Sequence, residues 1–271
     1  MKSIWSKIPA WIRAIIFNLI LLFPASFLIQ NIIRQTLPNT SWGWGIVPVV
    51  FILGAYWLLT KKLSPFNGKD DIWQSLNFNI KDGNNWMKFL GLSFFILCIM
   101  QLSLVVFSSE NNRSLDAILS FRALPAPIAI PILLGLALMA GILEEVTYRG
   151  YMQNTTSKAY PKWLSFLIVG ILFFLAHRLP LELFVPYMMA SVAFSLVADQ
   201  QRSLGIVILA HVVSDFVIFI GLYYDFINIT NPSVFGIVLS IIGLVAGTFL
   251  LIRDANWGEL GLLRPKKRVR I

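Results

Sequence analysis

Six ionisable side chains lie inside, or at the end of, long apolar runs of the sequence. A charge in such a place costs roughly 2.5–3.5 kcal/mol on membrane-insertion scales, so it usually marks a functional site or an ion pair. The six are two adjacent glutamates, an arginine, the only two histidines of the chain and an aspartate: Glu144, Glu145, Arg149, His177, His211 and Asp215. Carboxylates and imidazoles are the groups that most often move protons in enzymes. These residue types therefore indicate acid–base chemistry.

The spacing of these residues sorts them into pairs. Glu145 and Arg149 are four residues apart, so on a helix they share a face and can form an ion pair. Glu144 is rotated by about 100° from its neighbour, which leaves its carboxylate available for another task. His211 and Asp215 are also four residues apart and share a face.

The elements that must position these groups are predicted to be membrane helices. The chain has 271 residues, of which 57% are hydrophobic and only 13% are charged, whereas about a quarter of a soluble domain is charged. A helix needs about 20 mostly apolar residues to cross the hydrocarbon of a bilayer. Eight segments qualify: 14–30, 42–60, 89–107, 128–146, 163–178, 183–198, 205–223 and 233–251. The prediction is an all-α, polytopic membrane bundle of about eight transmembrane helices.

The chain is predicted to form one domain. No internal repeat and no connection long enough for a second domain is visible, so residues 1–271 make a single integral-membrane domain with its catalytic core in residues 128–223. The fifth and sixth apolar segments are short and Pro180 lies between them, which predicts a broken or irregular pair. The first segment begins like a signal peptide, but no small-residue cleavage site follows it, and we interpret it as a membrane helix.

Basic residues are distributed unevenly between the predicted loops. The two ends of the chain and the even-numbered loops hold 18 of the 22 Lys and Arg residues. By the positive-inside rule, this bias places both termini in the cytoplasm. The net charge of +9 is thus explained by topology and by contact with anionic lipid headgroups. A nucleic-acid partner is excluded, because no basic face with interleaved aromatic residues is found.

The candidate residues lie at matching depths in the predicted membrane. Glu144 precedes a turn predicted near 160–161 by about 16 residues, and His177 follows that turn by about as many. At about 1.5 Å per residue, two antiparallel helices around this turn bring Glu144 and His177 to the same level. His211 lies six residues into the seventh segment, roughly 10 Å below the cytoplasmic surface. The three side chains are predicted to form one shallow site that faces the cytoplasm.

Three sequence motifs together resemble those of a known family. They are Glu144-Glu145-x-x-x-Arg149, Phe173-x-x-x-His177 and His211-x-x-x-Asp215, and they resemble the motifs of the CPBP family. That family comprises the type II CAAX prenyl endopeptidases, including the Ras-converting enzyme, and bacteriocin-processing or immunity (Abi-like) proteins. One such motif is weak evidence, but three in order, each in its own apolar segment, are specific. The resemblance spans roughly residues 128–223 and implies an eight-helix intramembrane protease, expected in a bacterial plasma membrane.

The resemblance also implies a role for each matching residue. Glu144 looks like the family's catalytic glutamate, the general base that takes a proton from the attacking water. His177 would orient or polarise that water. His211 and Asp215 would lie near the carbonyl oxygen of the substrate, where donors stabilise the oxyanion. A buried ion pair and an aromatic packing residue are interpreted as structural support: Glu145, Arg149 and Phe173.

Asp215 departs from a common family pattern, since many members have asparagine at this position. An ionised aspartate only accepts hydrogen bonds, so it cannot donate one to an oxyanion. Asp215 could instead hold His211 as a charged donor, stay protonated, or bind a metal. Zinc is an open alternative, with Glu144, His177 and His211 as its ligands. We favour a site without a cofactor, because two adjacent helix residues cannot both point at one ion.

Three functions from different classes compete. The first is an intramembrane endopeptidase that uses glutamate-activated water to cleave a membrane-associated peptide or protein, in CAAX-type or in bacteriocin or signal-peptide processing. The second is a non-proteolytic membrane immunity or scaffold protein of the same family. The third, a proton-coupled transporter, is disfavoured because such carriers are usually built from repeats. The sequence lacks the HExxH of zinc proteases, a Gly-x-Ser nucleophile turn with a partner histidine of rhomboid character, and the GxGD of presenilin-like proteases.

Overall fold

The computed structural model describes residues 7–17, 19, 50, 53–54, 83–107, 118–177, 179–227 and 233–253. Every regular element within these ranges is a helix, so the predicted all-α class is confirmed. The principal helices are α1 (Ala10–Phe17), α2 (Gly83–Val106), α3 (Ala126–Glu145), α4 (Lys162–His177), α5 (Phe184–Gln201), α6 (Gly205–Tyr223) and α7 (Val234–Ile252).

Five helical stretches of the described residues are long and apolar enough to cross a membrane, and α4 is a shorter apolar helix. The five are Trp86–Val106, Ala126–Ser157, Leu181–Gln201, Gly205–Tyr223 and Val234–Ile252. Large apolar side chains project from the outer faces of these helices; on α7, Phe235 is 73% and Val245 is 66% exposed. Continuous apolar surface of this kind is suited to lipid. The prediction of a membrane protein is confirmed, whereas the predicted segments 14–30 and 42–60 lie largely outside the described residues.

The fourth apolar segment is longer than the sequence predicted. The hydropathy pattern predicts that this segment ends at residue 146. In the structure, α3 continues through a π-helical segment, Val146–Gln153, and a last α-helical turn, Asn154–Ser157. The polar side chains that end the apolar run are bonded inside the protein. Gln153 Nε2, for example, donates to the main-chain oxygen of Ser195 at 2.9 Å, and Thr156 Oγ1 donates to that of Met152 at 2.8 Å. Helix formation therefore persists beyond the point where hydropathy falls.

Two short connections set the depth of α4. The amide of Tyr160 donates to the carbonyl of Thr156 at 2.8 Å, which closes the turn before α4 where the sequence places it. After His177 the chain is extended at Pro180 (φ −56°, ψ 146°) and forms a 3₁₀ turn at Leu181–Leu183 before α5 begins. Of the two segments flanking Pro180, α4 is a shorter regular helix of 16 residues, whereas the stretch Leu181–Gln201 is long enough to cross a membrane. Both ends of α4 are thus fixed by turns that reverse the chain.

Helix α2 lies at the centre of the described bundle and contacts α5, α6 and α7, while α6 also packs on α3 and α4 packs on α5. The contact with α7 is close: a Cβ atom on Gly247 would lie 2.8 Å from the backbone nitrogen of Phe95. Buried Lys88 donates from Nζ to the carbonyls of Leu250 and Leu251 at 3.2 and 2.8 Å. A cation at a helix carboxyl end is favoured by the helix dipole, so Lys88 holds the end of α7 against α2.

Candidate active site

The polar groups of three helices converge on Glu144. Its Oε1 atom lies 3.6 Å from Nε2 of His177, and its Oε2 atom lies 3.8 Å from Nε2 of His211. These side chains come from α3, α4 and α6, and the structure brings them together as their matching depths predict. Both separations are longer than a direct hydrogen bond. Water or a substrate atom between Glu144 and an imidazole can therefore bond to both.

Each histidine is oriented through its other ring nitrogen. Nδ1 of His177 lies 2.7 Å from the main-chain oxygen of Phe173, one turn earlier on α4. Nδ1 of His211 lies 2.7 Å from Oε1 of Glu145. A carbonyl and a carboxylate only accept, so these contacts place a proton on both Nδ1 atoms. Both Nε2 atoms consequently face Glu144.

Glu145 and Arg149 form the ion pair that their spacing predicts. Oε1 of Glu145 lies 2.9 Å from Nη1 of Arg149, and both side chains are fully buried. Nη2 of Arg149 donates to the main-chain oxygen and to Oγ of Ser191, at 3.0 and 2.9 Å. Since the same Oε1 of Glu145 also accepts from His211, one carboxylate oxygen joins α3 to α6, and its arginine partner joins α3 to α5.

Planar groups stack across the site in the order His177, Phe173, Arg149, Phe194, His211. The ring centroids of the first two are 4.4 Å apart, and those of the last two are 4.9 Å apart and nearly parallel, at 23°. The guanidinium carbon between them lies 5.1 and 4.9 Å from the two phenylalanine rings. Arginine attracts aromatic faces, and aromatic rings favour such offset contacts. One arginine thus supports both imidazoles.

Helices α3 and α6 approach closely beside the site. A Cβ atom on Gly141 would lie 2.5 Å from Cγ2 of Val212 and 3.2 Å from its backbone nitrogen. Gly141 is one turn before Glu145, and Val212 follows His211, so this approach sets the distance that the carboxylate and the imidazole bridge. The π-helical segment begins directly after Glu145; such segments are frequent at functional sites.

Solvent exposure divides the site into an open side and a closed side. The side chains of Glu144, His177 and Asp215 are 18%, 26% and 22% exposed, whereas that of Glu145 is 0%. His211 lies between the two sides at 7%, and its Nε2 atom is 3.4 Å from Oδ2 of Asp215. A substrate entering from the open side therefore meets the first three groups, while the ion pair stays behind them.

The described residues contain no group of three or more His, Cys, Asp or Glu side chains placed to hold a metal ion. Glutamate and histidine are chemically suitable ligands for zinc, and the Nδ1 bonds resemble those that orient metal-binding histidines. The ligand types therefore suit zinc, and a site without a cofactor stays a prediction. The reaction steps proposed below involve only the protein's own side chains.

Helix α5 contributes groups that none of the three motifs contains. Ser191 bonds to Arg149, Phe194 stacks on His211, and the ring centroid of Tyr187 lies 5.4 Å from that of His177. The spacing of these residues could have indicated their common role, because positions 187, 191 and 194 share one helix face within an apolar segment. The sequence also does not predict the hydrogen bond that His211 donates to Glu145. The spacing along α3 indicates only that Glu145 pairs with Arg149 in the same helix.

These features define a helical membrane protein in which a glutamate and two histidines meet near the end of a long, π-bulged helix. The family model described as Type II CAAX prenyl endopeptidase Rce1-like matches residues 126–217, which include all three motifs. Over these 92 of the 271 residues the chain is similar to the Rce1-like family, in line with the resemblance to the CPBP intramembrane proteases. No curated protein and no solved structure matches the chain significantly.

Proposed function

We propose that this protein is an intramembrane endopeptidase in which Glu144 activates water for attack on a peptide bond of a membrane-associated peptide or protein. One observation carries the proposal. The carboxylate of Glu144 lies between the Nε2 atoms of His177 and His211, and each imidazole is fixed through its Nδ1 atom. A base with two oriented nitrogen groups beside it is the arrangement that hydrolysis by water needs.

Water is proposed to bind between Glu144 and His177. In its neutral form His177 carries its ring proton on Nδ1, so its Nε2 presents a lone pair that accepts one hydrogen of the water, while Glu144 accepts the other. This arrangement turns a lone pair of the water oxygen toward the substrate carbonyl. Glu144 takes the proton as the new C–O bond forms. It then returns that proton to the leaving amine as the C–N bond breaks, so one carboxylate serves as base and then as acid.

His211 is proposed to stabilise the oxyanion of the tetrahedral intermediate. Glu145 lies at its Nδ1 atom and Asp215 lies 3.4 Å from its Nε2 atom. In its charged form, His211 donates from Nε2 to the oxygen on which charge develops. Asp215, as a carboxylate, accepts only, so its role is to hold the charged imidazole. This assignment gives the aspartate a function that does not require it to donate.

The proposed substrate class is a CAAX-type peptide, which the description of the matching family supports. Processing of a bacteriocin or signal peptide uses the same bond chemistry and is the alternative within this function. A purified, detergent-solubilised protein should be assayed with a fluorogenic farnesylated CAAX peptide, the same peptide without the lipid, and a signal-peptide substrate. The peptide that is cleaved identifies the class.

The decisive comparison is between two glutamate variants. Glu144→Gln removes the base and should lower kcat by at least about three powers of ten, with unchanged helix content. Glu182→Gln is the matched control, because Glu182 lies exposed in the 3₁₀ turn before α5, and it should keep wild-type activity. Full turnover in a folded Glu144→Gln protein would remove the protease proposal. A wild-type protein that cleaves none of the three peptides but binds a partner would favour the immunity or scaffold function.

The histidines and the metal question can be tested together. His177→Gln and His211→Gln should each lower kcat by about two to four powers of ten. The double variant should lose far less than the product of the two effects, because the residues share one transition state. Metal content and activity after exhaustive chelation decide the cofactor. Activity that survives chelation supports hydrolysis by the side chains alone, and activity restored only by added zinc assigns the ion to Glu144, His177 and His211.

A further inference from the structure

Helix α5 runs parallel to α3 and in register with it along the site. Arg149 bonds to Ser191, and Gln153 bonds to the main-chain oxygen of Ser195; in both pairs the partners are 42 residues apart. Because the difference in residue number is the same over one turn, the two helices run in the same direction. One turn earlier, the same offset places Tyr187 at the level of Glu145. The register therefore brings a phenol into the layer of the two glutamates.

Ring contacts fix the position of this phenol. The ring of Tyr187 lies 5.4 Å from the ring of His177, 6.2 Å from that of Phe173 and 6.4 Å from that of Phe174, measured between centroids. Its side chain, which ends in a hydroxyl group, is partly exposed. Among the described residues, this hydroxyl has no hydrogen-bond partner. The phenol thus packs against His177, which is one of the groups on the open side of the site.

The chemistry of the site leaves a role for such a donor. A tetrahedral oxyanion is best stabilised by more than one hydrogen-bond donor. His211 can supply one donor from Nε2, but an ionised Asp215 supplies none. Resting on the proposed endopeptidase function, we propose that Tyr187 is a further catalytic residue whose hydroxyl donates a hydrogen bond to the oxyanion of the tetrahedral intermediate. The phenol keeps its proton throughout, so no additional acid or base is required.

Tyr187→Phe tests the proposal, because it removes one oxygen and leaves the ring packing in place. With the peptide that the wild type cleaves, kcat should fall by roughly 10²–10³-fold, the scale for a lost oxyanion donor, while KM and thermal stability stay unchanged. A tetrahedral phosphinate analogue of that peptide should bind more weakly by a similar factor. The uncleaved ground-state peptide, bound to Glu144→Gln protein with and without Tyr187→Phe, should show equal affinity.

Tyr223→Phe is the matched control. Tyr223 is on α6, and its hydroxyl donates to the main-chain oxygen of Leu124 at 2.8 Å, three turns beyond His211. This variant should lose stability and keep its kcat, which is the reverse of the Tyr187→Phe pattern. A Tyr187→Phe protein with wild-type kcat, or with a loss explained by stability or KM, overturns the proposal. If Tyr187→Phe keeps wild-type kcat while Glu144→Gln is inactive, only the role of Tyr187 is refuted. If Glu144→Gln is active as well, the proposed endopeptidase function is refuted.

Discussion

Replacing Glu145 by leucine should lower both stability and catalytic rate, and combining it with Arg149→Met should separate the two effects. One oxygen of Glu145 accepts from Arg149 at 2.9 Å and from His211 at 2.7 Å, in a fully buried position. Hydrogen bonds to charged groups contribute about 1.5–3 kcal/mol each, so two of them amount to about 3–6 kcal/mol. Removing one partner of a buried ion pair typically costs about 3–5 kcal/mol. Each single variant is therefore expected to lose about 3–5 kcal/mol.

The double variant Glu145→Leu/Arg149→Met should recover most of this stability, because no unpaired charge then remains buried. Its free energy of unfolding, measured by titration with sodium dodecyl sulfate in mixed micelles, should lie within about 2 kcal/mol of the wild type. Its kcat should nevertheless stay at least about 100-fold low, since His211 has lost the acceptor that orients its ring. Glu144→Gln should likewise combine wild-type stability with loss of turnover.

Two results would refute this reasoning. Additive losses in the double variant would mean that the two charges do not stabilise one another. Full recovery of kcat in the double variant would mean that Glu145 does not orient His211, and that its effect on activity is only a consequence of stability.

Three further predictions follow from the packing and the topology. Gly141→Ala should lower kcat by about tenfold or more, because a Cβ atom there would lie only 2.5 Å from a side-chain atom of α6 and small displacements of catalytic groups are costly. Gly135→Ala is the control: its Cβ meets nothing within 4 Å, so kcat should be unchanged. Gly247→Ala should lower the free energy of unfolding by about 1–3 kcal/mol through the contact of α7 with α2, with normal activity per folded molecule. Cysteines introduced at Lys7 and Arg268 in a cysteine-free background should be labelled from the same, cytoplasmic, side; labelling from opposite sides would contradict the predicted topology.

Much of the candidate site could be predicted from the sequence, because helix geometry relates spacing to position. A separation of four residues is enough to pair Glu145 with Arg149, and the rise per residue is enough to bring Glu144 and His177 to one level. These are properties of single helices and of one tight turn. They do not depend on how the remaining helices are arranged.

The contributions of α5 and the end of α3 could not be predicted in the same way. The stacking of Phe194 on His211 depends on which face of α5 meets α6, and no spacing within one segment contains that information. The continuation of α3 beyond residue 146 depends on bonds such as that of Gln153 to Ser195. A hydropathy profile predicts that the helix ends at those polar side chains, because it contains no information on the hydrogen bonds that they form with another helix.

The pairing of Glu145 with Arg149 inside one helix has a consequence for biosynthesis. The bond to His211 spans 66 residues of chain, which at about 5–20 residues per second take roughly 3–13 s to synthesise. When α3 has just been made, its arginine has neither α5 nor α6 to receive it. Because its counter-charge lies one turn away, the segment can enter the bilayer electrically neutral at this point. The water-activating glutamate meets its second histidine only when α6 arrives, so the nascent chain gains its complete hydrolytic site late, after most of the membrane helices that enclose it have been made.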